Sequence, residues 1–173
     1  MTFGAVAQRA NVSKSGVVAH FPNVDKLKAG IIARATDLWR RACLEPHESS
    51  SAVAELTRYM SRWISWTTRA GLPVGCPIAS AMFEYAHEGS SFRLAVETAE
   101  TQWRETLVDL IEMAIAESEV SKDIDVSQMA GSLFGVYLSH QVSSRFLRAP
   151  DAARKAMETV DQLIAFARRP NEY

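Results

Sequence analysis

The sequence predicts an all-α protein, and three observations carry that expectation. Glycine and proline number only 8 and 6 in 173 residues, and they fall between periodic segments rather than inside them. Apolar residues recur at three- and four-residue spacing, as in Leu27, Ile31, Ile32, Ala35, Leu38 and Trp39. No stretch alternates apolar and polar residues convincingly enough to suggest a strand.

Each helix has a reason to start and stop where it does. Thr2 can cap a short helix over residues 3–10, and Ser13 a second over 14–21. Phe21-Pro22-Asn23 breaks the chain, because a residue before proline disfavours the helical region. Asn23 then caps a longer helix that ends near Pro46. After the polar residues 47–51, an aromatic-rich helix runs to about Ala70. Residues 70–77 form a loop, and Pro77 suits the first position of a helix carrying Met82, Phe83 and Tyr85 and ending near Gly89. Ser91 can start a long helix through Leu94, Trp103, Leu107, Leu110 and Ala114. Two more follow, at about 126–147 and 151–168, with Ala149-Pro150 as the joint. The chain divides near residue 46, with the third helix packing on both parts.

Composition excludes several classes. No apolar run approaches the roughly 20 residues that span a bilayer, and the start has no signal-peptide pattern, so a cytoplasmic protein without membrane contact is expected. Cys43 and Cys76 match no metal spacing and read as reduced thiols, and His20, His47, His87 and His140 are scattered singly. Neither a metal site nor a cofactor is suggested. An enzyme would need converging polar groups, and none stands at a recognisable spacing; Glu84, His87 and Glu88 read as a charged helix face. The net charge of −1 hides an asymmetry. Residues 1–45 carry seven basic against three acidic residues, and the remainder twelve against seventeen. The N-terminal end therefore faces a polyanion more readily than the body does.

The first two helices, joined by a three-residue turn, have helix-turn-helix dimensions. Val6, Ala7, Ala10, Val12, Val17 and Phe21 can share one apolar interior. Asn11 sits in the turn, where a left-handed conformation is needed and asparagine tolerates it. Lys14, Ser15, Gly16, Val18 and Ala19 are left facing outward at the start of the second helix. That is where a recognition helix reaches base edges, and the helix dipole, Lys14 and the Ser15 hydroxyl suit phosphate contact. A plain helical hairpin is the alternative, and His20 reads first as a packing residue.

The run from Thr2 through Asn11-Val12-Ser13-Lys14-Ser15-Gly16-Val17-Val18-Ala19-His20-Phe21-Pro22-Asn23 to Leu27 resembles the DNA-binding segment of TetR-family transcriptional regulators. The resemblance implies DNA contacts from Thr2, Lys14, Ser15, Gly16, Val18, His20 and Lys26. It also implies a DNA-binding region with its connecting helix over residues 1–46 and a helical ligand-binding and dimerisation domain over 47–173. Departures accompany it. The helix that family members carry before this segment has no counterpart, so the DNA-binding unit is expected to lack its N-terminal helix. Val18 stands where the family has tyrosine, Ala19 where histidine is frequent, and Val24 where lysine is common, with Lys26 and Lys28 close by. Each lost phosphate contact lowers the salt slope by about one.

Residues 51–140 hold Tyr59, Met60, Trp63, Trp66, Met82, Phe83, Tyr85, Trp103, Met113, Phe134 and Tyr137. Taken singly, these read as core. Taken together, the resemblance implies a pocket for an apolar or aromatic small molecule, lined by Tyr59, Trp63, Trp66, Cys76, Met82, Phe83, Trp103 and Tyr137. Ser80, His87 and Gln102 are polar neighbours. As the residue before Pro77, Cys76 can cap a helix, where the dipole would lower its thiol pKa and favour a reactive thiolate; a small buried cap residue is the first reading. The apolar faces of the last two helices include Met129, Leu133 and Tyr137 in one, and Ala153, Ala156, Val160 and Ile164 in the other. The resemblance implies that they pair with their copies in a homodimer. The function implied is a repressor released from double-stranded operator DNA by a small-molecule effector. A helical small-molecule-binding or interaction dimer without DNA binding is the rival.

Overall fold

The computed structural model describes residues 2–45, 49–72, 75–84 and 91–168. Every regular element among them is helical: α1 (Phe3–Ala10), α2 (Lys14–His20), α3 (Val24–Cys43), α4 (Ala52–Arg69), α5 (Pro77–Glu84), α6 (Ser91–Ala116), α7 (Val126–Gln141) and α8 (Ala152–Ala167). A π turn over Val142–Phe146 follows α7. No helix among the described residues is long and apolar enough to cross a membrane.

Side-chain caps set most of the starts. Thr2 Oγ1 accepts from the Ala5 amide at 3.3 Å, Ser13 Oγ from Gly16 at 3.0 Å and Asn23 Oδ1 from Lys26 at 2.9 Å. Ser51 and Asp125 cap α4 and α7 in the same way. These bonds satisfy amides that have no partner within the helix. The start of α4 gains two more acceptors from across the fold. The Ala52 amide donates to Glu117 at 2.8 Å and the Val53 amide to Glu119 at 2.7 Å, which places two carboxylates at the positive end of the helix dipole.

The core lies where α4, α6 and α7 meet, with α3 laid along α6 and α4, and α8 closing against α4 and α7. The pair α1–α2 packs mainly on itself. One link to the body is Phe21, whose ring rests on Gly30 of α3 so closely that a Cβ there would come within 2.9 Å of the ring.

Several expectations are corrected. The α conformation of α7 ends at Gln141, not Leu147. Ser144 donates to the His140 carbonyl at 2.7 Å, and Leu147 reaches back five residues to Val142, so the last turn widens. In the helix-turn-helix, Ala7 and Val17 are buried, but Ala10 and Val12 are exposed and add nothing to the shared interior. On α8 it is Ala152, not Ala153, that turns inward, because the burial series Ala152, Ala156, Val160, Ile164, Ala167 fixes the phase. Helix α3 ends at Cys43. The expected break near Pro46, the division between residues 46 and 47, and the end of α5 with Tyr85, His87 and Glu88 lie outside the described residues.

Candidate DNA-facing helix and aromatic interior

The turn between α1 and α2 is built on Asn11, which adopts φ 53°, ψ 45° and returns its amide to the carbonyls of Ala7 and Gln8. This left-handed residue closes α1 and aims α2. Lys14, Ser15, Val18 and His20 are exposed on α2, Gly16 is half-buried, and Thr2 and Lys26 are exposed at the flanking helix starts. The Ser15 hydroxyl lies 3.0 Å from that of Ser13, so the two form one polar corner at the α2 N-terminus.

Tertiary packing sorts the basic residues. Arg34 and Arg41 both pair with Asp37, at 2.7 and 3.2 Å, and Arg40 donates to Gln102 at 3.1 Å. The Lys28 ammonium lies over the Phe92 ring, 5.4 Å from its centroid. Arg9, Lys14 and Lys26 are exposed and form no ion pair among the described residues. Arg9 was not singled out from sequence. Its only signal there is the basic end of the first helix.

The aromatic residues assemble into one interior. Trp63 stacks on Tyr137 with centroids 4.3 Å apart and planes 11° from parallel. Trp103 stands edge-on to both, at 5.1 and 5.5 Å, and Trp39 of α3 joins at 6.0 Å from Trp103. Tyr59 lies 5.5 Å from Trp63. Edge-on and offset arrangements of this kind satisfy the ring quadrupoles. Trp39, identified from sequence only as part of a helix face, proves to be a full member. Trp66 donates its indole N–H to the Tyr137 hydroxyl at 2.8 Å, and that hydroxyl donates in turn to the Cys76 sulfur. The indole N–H groups of Trp39, Trp63 and Trp103 and the hydroxyl of Tyr59 are buried without a hydrogen-bond partner. Met82 is half-buried beside this cluster. Phe83 does not belong to it: its ring is 72% exposed and faces solvent.

Cys76 caps α5 as expected, accepting the Ala79 amide at 3.3 Å. Of the two readings of Cys76, the small buried cap is the one this geometry fits. Burial pushes the Cys76 thiol up to about 11, outweighing the hydrogen bonds from Ala79 and Tyr137 that pull it down. Burial likewise lifts Cys43 to about 12. Near His140, burial and the neighbouring Arg145 hold the imidazole below its ordinary value.

The π turn has its own role in positioning. It carries Arg145 back to Thr67 of α4, which accepts at 3.0 Å. The same side chain lies over Gly75, whose φ of 93° and lack of a Cβ permit the approach. The end of α7 is thus tied to the end of α4 and to the loop before α5. Beyond it, Val142, Phe146 and Leu147 are exposed apolar residues after α7, with Phe146 83% exposed, and Phe166 is exposed at the far end of α8.

Comparison with known proteins places this arrangement. The family model described as "Tetracyclin repressor-like, C-terminal domain" matches residues 52–160. No curated protein matches the sequence. Among solved structures, a TetR transcriptional regulator from Chloroflexus aurantiacus J-10-FL superposes with a TM-score of 0.81 at 20% identity, over 95% of this chain and 82% of that one. A TetR-family regulator from Agrobacterium tumefaciens gives 0.80 at 15% identity, over 98% and 87%. The structure of AibR with isovaleryl coenzyme A and operator DNA gives 0.71 at 17% identity, over 98% and 88%. At these identities the likeness is one of fold.

Proposed function

Since the chain belongs to the TetR family of transcriptional regulators, we propose that it is a homodimeric repressor released from operator DNA by a small apolar or aromatic effector. It acts by binding and not as an enzyme. The observation that carries the reading is the start of α2: Lys14 and Ser15 stand exposed at a capped helix N-terminus, flanked by the exposed Arg9 and Lys26. In this reading α2 enters the major groove. Gly16 lets the backbone approach, Val18 meets base edges, and Thr2, Lys14, Ser15, His20 and Lys26 hold the backbone.

Residues 47–173 supply the effector and dimer functions. The effector sits among Tyr59, Trp63, Trp66, Trp103 and Tyr137, with Cys76 and Met82 at the side. The exposed Val142, Phe146, Leu147 and Phe166 support pairing of α7 and α8 with their copies, and a twofold dimer suits a palindromic operator. Helix α3 connects the two functions. Trp39 places it against the aromatic rings, and Gly30 places it under Phe21. An effector that separates Trp39 from Trp103 moves α3, and Phe21 carries that shift to α2. AibR, which shares the fold and was solved with both isovaleryl coenzyme A and operator DNA, supports the presence of a small-molecule site and a DNA site on one such chain.

The test is binding to a duplex from the gene's own upstream region, titrated against salt, with Lys14→Ala as control. The reading requires tight, sequence-dependent binding and a salt slope that Lys14→Ala lowers by about one. Binding no tighter than to random duplex favours a ligand-binding dimer without DNA recognition, a reading that the exposed Val12 and Val18 support.

A further inference from the structure

The π turn sends two neighbouring side chains opposite ways. Arg145 turns inward to Thr67 and Gly75, while Phe146 turns out and is the most exposed aromatic residue among those described. The turn is not a frayed end. Ser144 donates to the His140 carbonyl at 2.7 Å, the Leu147 amide to Val142 at 3.1 Å and the Ala149 amide to Ser143 at 2.9 Å. Phe146 is therefore a knob held in place, with Val142 and Leu147 exposed on either side of it in sequence. Exposed apolar residues scattered singly are ordinary. Three within six residues, on a turn fixed in advance, mark a contact surface.

The complement lies beside it. A groove of about 550 Å³ runs between α7 and α8, and Ser143 and Leu147 belong to its lining while Phe146 does not. It owes its width to small residues, Gly135 on α7 and Ala152 and Ala156 on α8. A cavity of roughly 150 Å³ takes one aromatic ring, so the groove has room for a phenylalanine and its flanking residues. The charged groups in its lining, Asp151 and Lys155, are paired at 3.0 Å, and burial keeps His140 uncharged at neutral pH. An apolar ring entering there strands no charge, whereas a charged ligand meets no unpaired opposite charge. Knob and groove stand side by side on one chain. An isologous contact, which uses the same patch on both subunits, requires that kind of self-complementary surface.

We propose that Phe146 of each copy of this chain enters the α7–α8 groove of a second copy, over Gly135, Ala152 and Ala156. The proposal rests on the homodimer reading and names the contact that holds the two copies in register. Arg145 positions the knob, so its hydrogen bond to Thr67 links this contact to α4.

The experiment is fluorescence-detected sedimentation of the full chain, without DNA, from nanomolar to micromolar concentration. Phe146→Ala removes the knob. Gly135→Leu fills the groove from a position where an added Cβ meets nothing within 4 Å, and leucine favours the helix over glycine, so the monomer keeps its fold. Each variant should weaken the dimer about a hundredfold, about tenfold for each of the two rings. Mixing the two is the decisive measurement. The Gly135→Leu chain keeps its knob and the Phe146→Ala chain keeps its groove, so their heterodimer retains one ring contact. It should associate about tenfold more tightly than either variant does with itself. A wild-type dimer that neither variant weakens overturns the proposal and leaves the homodimer reading intact. A mixture no tighter than the separate variants also overturns it, as does weakening by Gly135→Leu alone, which would give the groove a different occupant. A wild-type chain that sediments as a monomer removes the homodimer reading and the proposal together.

Discussion

The helix pair α1–α2 and the aromatic interior are held together by different physics. The pair buries two side chains, Ala7 and Val17, and owes its shape to local devices: the Thr2 and Ser13 caps and the left-handed Asn11. The interior has few such devices and depends on rings from α3, α4, α6 and α7 meeting across long stretches of chain. A unit held by local bonds opens locally at low free energy. A unit held by a shared core opens only when the core does. The helix pair can therefore open while the aromatic core stays closed, with Phe21 on Gly30 as one contact between them.

The sharpest way to break the contrast is Trp63→Ala. Trp63 touches Tyr59, Trp103, Phe134 and Tyr137, so its loss should destabilise the whole body by about 3–5 kcal/mol in denaturant unfolding. Asn11→Val should cost about 1–2 kcal/mol, because a β-branched residue resists the left-handed region. That cost should appear as faster amide exchange in α1 and α2 with exchange in α4 and α6 unchanged; a uniform change would mean the two regions form one cooperative unit. Ser13→Ala should weaken the same pair by about 1 kcal/mol.

The thiols test the interior from another side. The Cys76 thiol rises in the folded chain from its ordinary 9.0 to about 11, so the folded state holds this proton more tightly than the unfolded one. Stability from this group is intact below pH 9 and is lost as pH rises towards 11. Alkylation by iodoacetamide at pH 8 should therefore be slow, and should track unfolding rather than thiol titration. The smallest stability effect belongs to Lys14→Ala, within about 0.5 kcal/mol by thermal melting. A larger loss would show that Lys14 supports the fold rather than facing DNA.

The same contrast explains what could be read in advance. The caps at Thr2, Ser13 and Asn23, the break at Pro22 and the helix start at Pro77 were all legible, because each depends on a residue and its neighbours within one turn. The outward face of α2 followed from the same local rules. Most of the aromatic residues could be named as a group, but not their arrangement. That Phe83 faces solvent while Trp39 joins the rings depends on how α5 and α3 lie against α6.

By itself, the sequence determined an all-helical chain, where most of its helices begin, and a second helix with Lys14 and Ser15 at its exposed start. The tertiary structure decided the rest. It determined which basic residues remain unpaired, since Asp37 and Gln102 claim Arg34, Arg41 and Arg40. It buried the Cys76 cap, where desolvation by the packed core raises the thiol by more than its hydrogen bonds lower it. It also sealed the indole N–H groups of Trp63 and Trp103 inside the aromatic interior without acceptors. Local chemistry acts over three or four residues and is written in order along the chain. Burial and pairing depend on groups tens of residues apart, and only the folded chain brings them within reach.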